Sequence, residues 1–458
     1  MKASRISTIF FAKKRFYFIL CNLFVLCSTV AAQAGCEWTA LVYVQAKNNL
    51  SPFALKNFSD MASIGSNDNV NLVVQWYQPG SHGVWRYKIE KGKMVLDECN
   101  AIDSDGNTPR DLTDSMRWAV TKYPAQKYSL ILWNHGIGII DPLWGRSASS
   151  SWRTDEQFVL NDLLVRQNPR FQIEGDTTDH VTTLVQNEEE KIMQEIAETL
   201  LATTPRGILF NEHSKTYMNN QSLAQALHDI KTNILGGKKI DLLGMDACLM
   251  AMVEVGYLAR NYAHVFVGSQ EVELAHGWNY AALAQLFSTK NSSSDQVARG
   301  IISSYEAYYK DKIHFHTQSA IKLDTMTMLK DSIDRFVNAY RACKKNNAGV
   351  VDMIKRARRA CLQFSAANYI DLHTFYIECS NQINSQGNTA AFNDLKVALQ
   401  SGMRAIEGAV IANTAGKNLV RAKGLSIYFP QGYIDASYPR TEFARDCQWY
   451  SFIQELQR

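Results

Sequence analysis

The chain has 458 residues, of which 46% are apolar, 20% are charged and only nine are proline; this composition excludes a disordered or fibrous chain and allows one large α/β domain with elaborations, or two domains. The formal net charge is +4, but five basic residues and no acidic one fall in the first 34 positions, which leaves 43 basic residues against 44 acidic ones. That near-balance gives no case for nucleic-acid binding.

Residues 1–34 read as a signal peptide. Lys13, Lys14 and Arg15 precede an apolar run over 16–30, and Ala32-Gln33-Ala34 offers a site for cleavage after Ala34. The run is shorter than the roughly 20 residues a membrane-spanning helix needs, so a retained anchor is disfavoured, and nothing later reads as a span. The expected location is exported, periplasmic or secreted, with no membrane association after cleavage. Cys36 follows Ala34-Gly35 as in a lipoprotein signal, whereas Gln33 stands where that signal calls for an aliphatic residue; lipidation stays an open alternative.

Beyond the leader, short apolar or β-branched runs alternate with amphipathic stretches, the pattern of a sheet covered by helices on both faces. Strands are predicted at 39–45, 72–77, 84–89, 128–133, 207–210, 240–245 and 265–269. Ser51 as N-cap and Pro52 at the first helical position mark a helix after the first strand. A second helix, with Leu112, Met116, Ala119, Val120 and Tyr123 on one face, is closed by Pro124. Residues 141–205 break the alternation; they open with small polar residues, carry Arg146, Arg153, Arg166 and Arg170, and finish in a predicted helix over 188–201. Connections this long are functional or disordered loops. From about 291 the chain turns mostly helical, and 424–430 (GLSIYFP) reads as one more strand returned to the core. The expected organisation is a catalytic domain over 35–290 with an insertion at 141–205, followed by a mostly helical region over 291–458.

Seven cysteines remain once Cys21 and Cys27 leave with the leader. If Cys248 stays a thiol, Cys36, Cys99, Cys343, Cys361, Cys379 and Cys447 could form three disulfides in an oxidising compartment, their pairing open. No CxxC pair occurs, which argues against zinc.

Two segments carry chemistry. In 130–138 (LILWNHGIG) an apolar strand stops at Asn134, His135 and Gly136, and ligands of an open parallel sheet bind beyond the carboxyl ends of its strands. In 240–255 (IDLLGMDACLMAMVEV) a strand runs into Asp246, Ala247 and Cys248, with a helix predicted to begin near Leu249, whose dipole would favour the thiolate. Taken singly, each has a plain structural reading, a hydrogen-bonded histidine at a strand end and a buried core cysteine. Together they supply the nucleophile and proton carrier that a cysteine hydrolase draws from separate strand ends.

With TALVYVQAKNNLSPFALKNF, LILWNHG, RGILFNE, DLLGMDACLMAMVEVGYLA, VGSQEVELAHGWNY and GLSIYFP, the chain resembles the clostripain family of cysteine peptidases, within the caspase-like clan. The resemblance implies a caspase-like α/β/α sandwich with a largely parallel central sheet and a mostly helical C-terminal elaboration. It implies Cys248 as nucleophile, His135 as proton carrier, and an oxyanion hole from the N–H groups of Gly136 and Cys248. Asp246 matches the position that lines the S1 pocket, where a carboxylate pairs with Arg or Lys; capping the helix after Leu249 is its structural alternative. Where relatives carry a second S1 acid this chain has His276, which weakens the expectation of basic specificity. Glu271 and Glu273, close by in sequence, could compensate, but are expected to be solvated or to cap a loop. Asn134 replaces an aspartate often found before the catalytic histidine.

The insertion at 141–205 sits where relatives are cut internally into two chains that stay associated, and its arginines are candidates for self-cleavage; a solvated loop is the alternative. Some relatives need calcium, but no site is identified here. The run 103–107 (DSDGN) lacks a glycine at loop position six and has Asp114 rather than Glu at twelve, so it reads as an Asp-rich turn before a helix. No other cofactor is expected, and the expected partner is a peptide or protein substrate. A related peptidase of altered P1 preference and a non-catalytic binding protein on the same fold are the competing readings.

Overall fold

The computed structural model describes residues 35–81, 83–100, 104–141, 172–174, 207–385 and 390–458. The expected signal peptide and most of the 141–205 insertion, including its arginines, lie outside them. Cys36–Arg458 forms one compact unit.

Fourteen strands are described: β1 (Cys36–Gln45), β2 (Val70–Tyr77), β3 (Val84–Glu90), β4 (Lys93–Asn100), β5 (Ala125–Trp133), β6 (Gln172–Glu174), β7 (Ile208–Asn211), β8 (Thr216–Met218), β9 (Ile240–Asp246), β10 (Ala263–Gly268), β11 (Thr317–Lys322), β12 (Tyr369–Asp371), β13 (Val410–Ala415) and β14 (Ser426–Tyr428). Ten form one sheet in the order β13-β11-β10-β9-β5-β1-β2-β3-β4-β6. Its five central strands, β10 to β2, are mutually parallel, and β11, β13, β3 and β4 extend it antiparallel on the two sides.

Helices cover both faces: α1 (Ser51–Ile64), α2 (Pro109–Lys122), α3 (Asn220–Asp229), α4 (Val253–Ala259), α5 (Tyr280–Ser288), α6 (Ser294–Tyr309), α7 (Met326–Asn346), α8 (Val350–Ala360), α9 (Leu372–Asn384) and α10 (Asn393–Ala409), with α11 (Glu442–Asp446) and α12 (Trp449–Gln457) closing the chain. Because side chains alternate along a strand, β1 feeds two cores. Ala40, Val42 and Val44 pack with α1, α5 and α6, while Leu41 and Tyr43 join the larger core built with α2, α3, α4 and the C-terminal helices. This double burial is why β1 and β5 read as nearly unbroken apolar runs.

Several sequence expectations are displaced. Strand 207–210 exists as β7 but pairs with β8 in a separate two-stranded sheet. Strand 424–430 shrinks to β14, fully buried, which pairs with β12 and not with the main sheet. The strands that the C-terminal region does contribute to the main sheet are β11 and β13. At α1 the capping position falls to Leu50, not Ser51, with no side-chain cap, whereas α2 has a full capping box between Thr108 and Asp111. Among the described residues no disulfide links any of the seven cysteines from Cys36 onward, so the three bridges that the sequence allowed are not formed.

Candidate active site

Parallel register sets the site. β5 and β9 pair so that Trp133 lies opposite Asp246, and the Asn134 N–H donates to the Asp246 carbonyl at 3.3 Å. His135 and Cys248, each two residues further on, therefore leave the sheet side by side at the carboxyl rim, and both line one cleft with Asp246, Glu273, Ala275 and Gly277. The cleft is narrow, about 30 Å³.

On the histidine side, Asn134 is the pin. Its amide Nδ2 donates to the carbonyls of Gln45 and, at 3.1 Å, of Phe210; its Oδ1 accepts from the N–H of Phe210 at 2.9 Å and from that of His135. One buried side chain thus joins the ends of β1, β5 and β7. Only an amide can both donate and accept here, which gives a physical reason for Asn in place of Asp. The ring of Phe210 meets His135 edge-on at 6.5 Å, and Nε2 of His135 lies 2.8 Å from Oδ1 of Asn49. Asn49 was not singled out by the sequence reading; its only signal is its place just beyond the apolar β1.

On the cysteine side, the expected helix start near Leu249 is not what the chain does. Leu249 has a positive φ of 64° and α4 begins at Val253, so residues 249–252 form an irregular loop. That loop is sewn down by backbone bonds: Leu249 N–H to the Glu271 carbonyl at 3.1 Å, Ala251 N–H to Ser269 at 2.8 Å, and Ser426 N–H to Ala251 at 2.9 Å. Glu254, at the start of α4 and fully buried, accepts from the Tyr428 N–H at 2.9 Å and the Tyr438 hydroxyl at 3.0 Å. Without a helix N-terminus at Cys248, the dipole argument for a thiolate fails. Burial, aided by the nearby acids Glu271 and Asp246, pushes the Cys248 thiol up to about 11. In this state Cys248 Sγ donates to the Glu273 carbonyl at 3.6 Å and accepts from the Glu273 N–H at 3.2 Å. Gly136 packs against the same loop; a Cβ there would overlap the Cys248 carbonyl oxygen and lie 3.1 Å from Ala247 Cβ.

The acids are arranged differently from expectation. Asp246 is buried and caps nothing in α4; its Oδ2 accepts from the Trp278 N–H at 3.2 Å and the Tyr280 hydroxyl at 2.8 Å. Glu273 is buried beside it, not solvated, and neither of its carboxyl oxygens has a hydrogen-bond partner of good geometry among the described residues. Burial raises both carboxyls, and burial together with the neighbouring Asp246 holds Glu273 well above the usual carboxylate range. Glu271 is buried too and accepts from the Ser365 N–H at 3.0 Å, a structural tie between loops. His276 does not line the cleft; its ring packs edge-on against Phe53 of α1 at 5.0 Å, and its carbonyl accepts from Asn57. The second acid beside Asp246 in the cleft is Glu273, three residues before His276.

In the turn before α2, Ser104 bonds to Asp111 and Asp105 accepts from Asn211. Those oxygens are committed to the turn, and among the described residues no group of three or more His, Cys, Asp or Glu is arranged to hold a metal ion. No described helix is long and apolar enough to cross a membrane.

The clostripain family model matches residues 42–154 and 193–457, skipping a stretch inside the expected insertion. Among solved structures, an inactive zymogen protease from Parabacteroides distasonis is 18% identical, with 92% of this chain and 98% of that one covered at a TM-score of 0.57. A secreted cysteine protease from Bacteroides thetaiotaomicron, in complex with an irreversible peptide inhibitor, is 20% identical, with 92% and 99% covered at a TM-score of 0.55. At such identities these two likenesses are of fold. No curated protein matches.

Proposed function

The chain belongs to the clostripain family of cysteine peptidases and has its caspase-like fold, and from that premise we propose that it is an exported endopeptidase using a Cys248–His135 dyad, cleaving after Arg or Lys and activated by cutting within 141–205. The observation that carries the reading is the pairing of β5 with β9, which brings an imidazole and a thiol into one cleft with two buried carboxyls. Cys248 attacks the scissile carbonyl once its proton has passed to His135. The oxyanion is held by the N–H groups of Cys248 and Gly136, and His135 then protonates the leaving amine and activates water.

A substrate Lys or Arg entering beside Asp246 and Glu273 would pair with their carboxylates, its charge favouring their ionised forms. A thiol held protonated fits a latent precursor, and an inactive zymogen stands among the structural relatives. Export is supported by the leader composition and by a secreted relative.

The test is a panel of fluorogenic peptides differing at P1, assayed with wild type, Cys248→Ala, His135→Ala and Glu273→Gln. Loss of turnover in the first two variants and a drop confined to Arg and Lys substrates in the third are expected; undiminished turnover by Cys248→Ala would refute the reading. On a denaturing gel, wild type should run as two fragments and Cys248→Ala as one.

A further inference from the structure

We infer that Asn49 is a positioning residue for His135: it accepts a hydrogen bond from Nε2–H and thereby leaves Nδ1 as the nitrogen that exchanges a proton with Cys248 and the leaving group. The inference rests on the dyad reading above and adds a third member to it.

The Nε2 to Oδ1 separation is 2.8 Å, a good hydrogen-bond distance. A single bond at a half-exposed rim would mean little if the loop bearing Asn49 were loose, but it is held from several directions. The preceding residue, Asn48, is buried; its Oδ1 accepts from the Leu50 N–H at 2.9 Å and its Nδ2 donates to the Phe210 carbonyl at 2.9 Å. Lys47 accepts at its carbonyl from the Glu212 N–H, also at 2.9 Å. Phe210, which anchors Asn48 and Asn134 alike, also lays its ring against the imidazole. Loop and ring are therefore referenced to the same residue, so Asn49 meets a fixed nitrogen.

Chemistry favours an amide at this place. In a neutral imidazole one nitrogen carries the proton and the other accepts, and a partner on one side fixes which is which. An uncharged acceptor orients the ring and stabilises the imidazolium less than a carboxylate would, so His135 can still release its proton to a leaving amine. A carboxylate would hold the imidazolium and raise its pKa. Bound substrate would shield this bond from water and strengthen it.

Asn49→Ala, Asn49→Asp and His135→Ala, each cut in trans by wild-type protein and repurified, should be compared on the best peptide substrate. Asn49→Ala should lower kcat roughly tenfold, in the range for residues that orient a functional imidazole, with KM changed less than about twofold. In Asn49→Asp the acid limb of the kcat/KM profile should move up by about one pH unit; the other titratable groups at the cleft, Cys248, Asp246 and Glu273, are unchanged in that variant. In a Cys248→Ala background, nitrogen-15 spectra should show the His135 proton on Nε2, giving way to a tautomer mixture when Asn49→Ala is added. An Nδ1–H tautomer in the parent, or unaltered kcat and pH profile in both Asn49 variants while His135→Ala is dead, overturns this inference alone. A fully active His135→Ala overturns the dyad and this inference with it.

Discussion

Replacing Asn134 by aspartate isolates what the pin between β1, β5 and β7 is worth. The side chain is 4% exposed, and its amide donates to the carbonyls of Gln45 and Phe210. Both carbonyls keep a bond from Asn48, so they are not orphaned when Asn134 stops donating. The two lost bonds cost about 2 kcal/mol at ~1 kcal/mol each. A desolvated carboxylate facing two carbonyl oxygens adds several kcal/mol, so Asn134→Asp should be destabilised by roughly 3 to 5 kcal/mol at pH 8. The new carboxyl will respond by taking up a proton, its folded pKa lying above its unfolded one. The deficit is therefore full above the folded pKa and shrinks as pH falls through it, by up to ~1.4 kcal/mol per pH unit. Below the unfolded pKa the protonated acid can restore one donor. Urea denaturation of wild type, Asn134→Asp and Asn134→Ala at pH 5 and pH 8 measures this, with the alanine variant destabilised equally at both. An aspartate variant as stable as wild type at pH 8, or one whose deficit ignores pH, would show that the amide is not acting as donor.

Three further outcomes follow from the same structure. Burial pushes the Glu254 carboxyl up to about 7 from 4.5, so wild type should lose roughly 3 kcal/mol of stability as pH rises from 4.5 through 7; Glu254→Gln should lack that loss, and parallel stability curves would refute it. With its thiol pushed up to about 11, Cys248 of the uncut chain should be alkylated by iodoacetamide about tenfold faster per pH unit between 7 and 10, whereas a rate already flat at pH 7 would reveal a thiolate. Gly277 has a φ of +62° and a Cβ there would sit 2.9 Å from Asp246 Oδ1; Gly277→Ala should cut kcat/KM on P1-Arg substrates roughly 100-fold, the scale of one misplaced methyl group in a pocket, and unchanged turnover would remove Asp246 from the pocket.

The parts of this site that were legible in the sequence are those written in apolar runs. β5 and β9 are buried on both faces, so their ends, and hence His135 and Cys248, could be located within a residue or two. β4 and β11 were not foreseen because KMVLDECN and TQSAIK carry too many polar residues, although β11 buries its Thr, Gln and Ser; β13, VIANTA, is a short half-buried run directly after a helix, defined by hydrogen bonding to β11. The helix expected at Leu249 was misplaced because its apolar residues fit a helical stripe, while the chain spends them on an irregular loop buried from all sides. Glu273 and Asn49 act through tertiary proximity alone. Nothing in local pattern distinguishes an acid folded against Asp246 from one on a solvated loop, or one asparagine of an adjacent pair from the other.

The loop that presents Cys248 is completed from far away in the chain. Ser426 bonds to Ala251, and the Tyr428 backbone and Tyr438 hydroxyl close on Glu254. A polypeptide cut short before β14 can thus contain both signature segments and still lack the clasp that finishes the Cys248 loop, so the two motifs by themselves do not make the reaction centre.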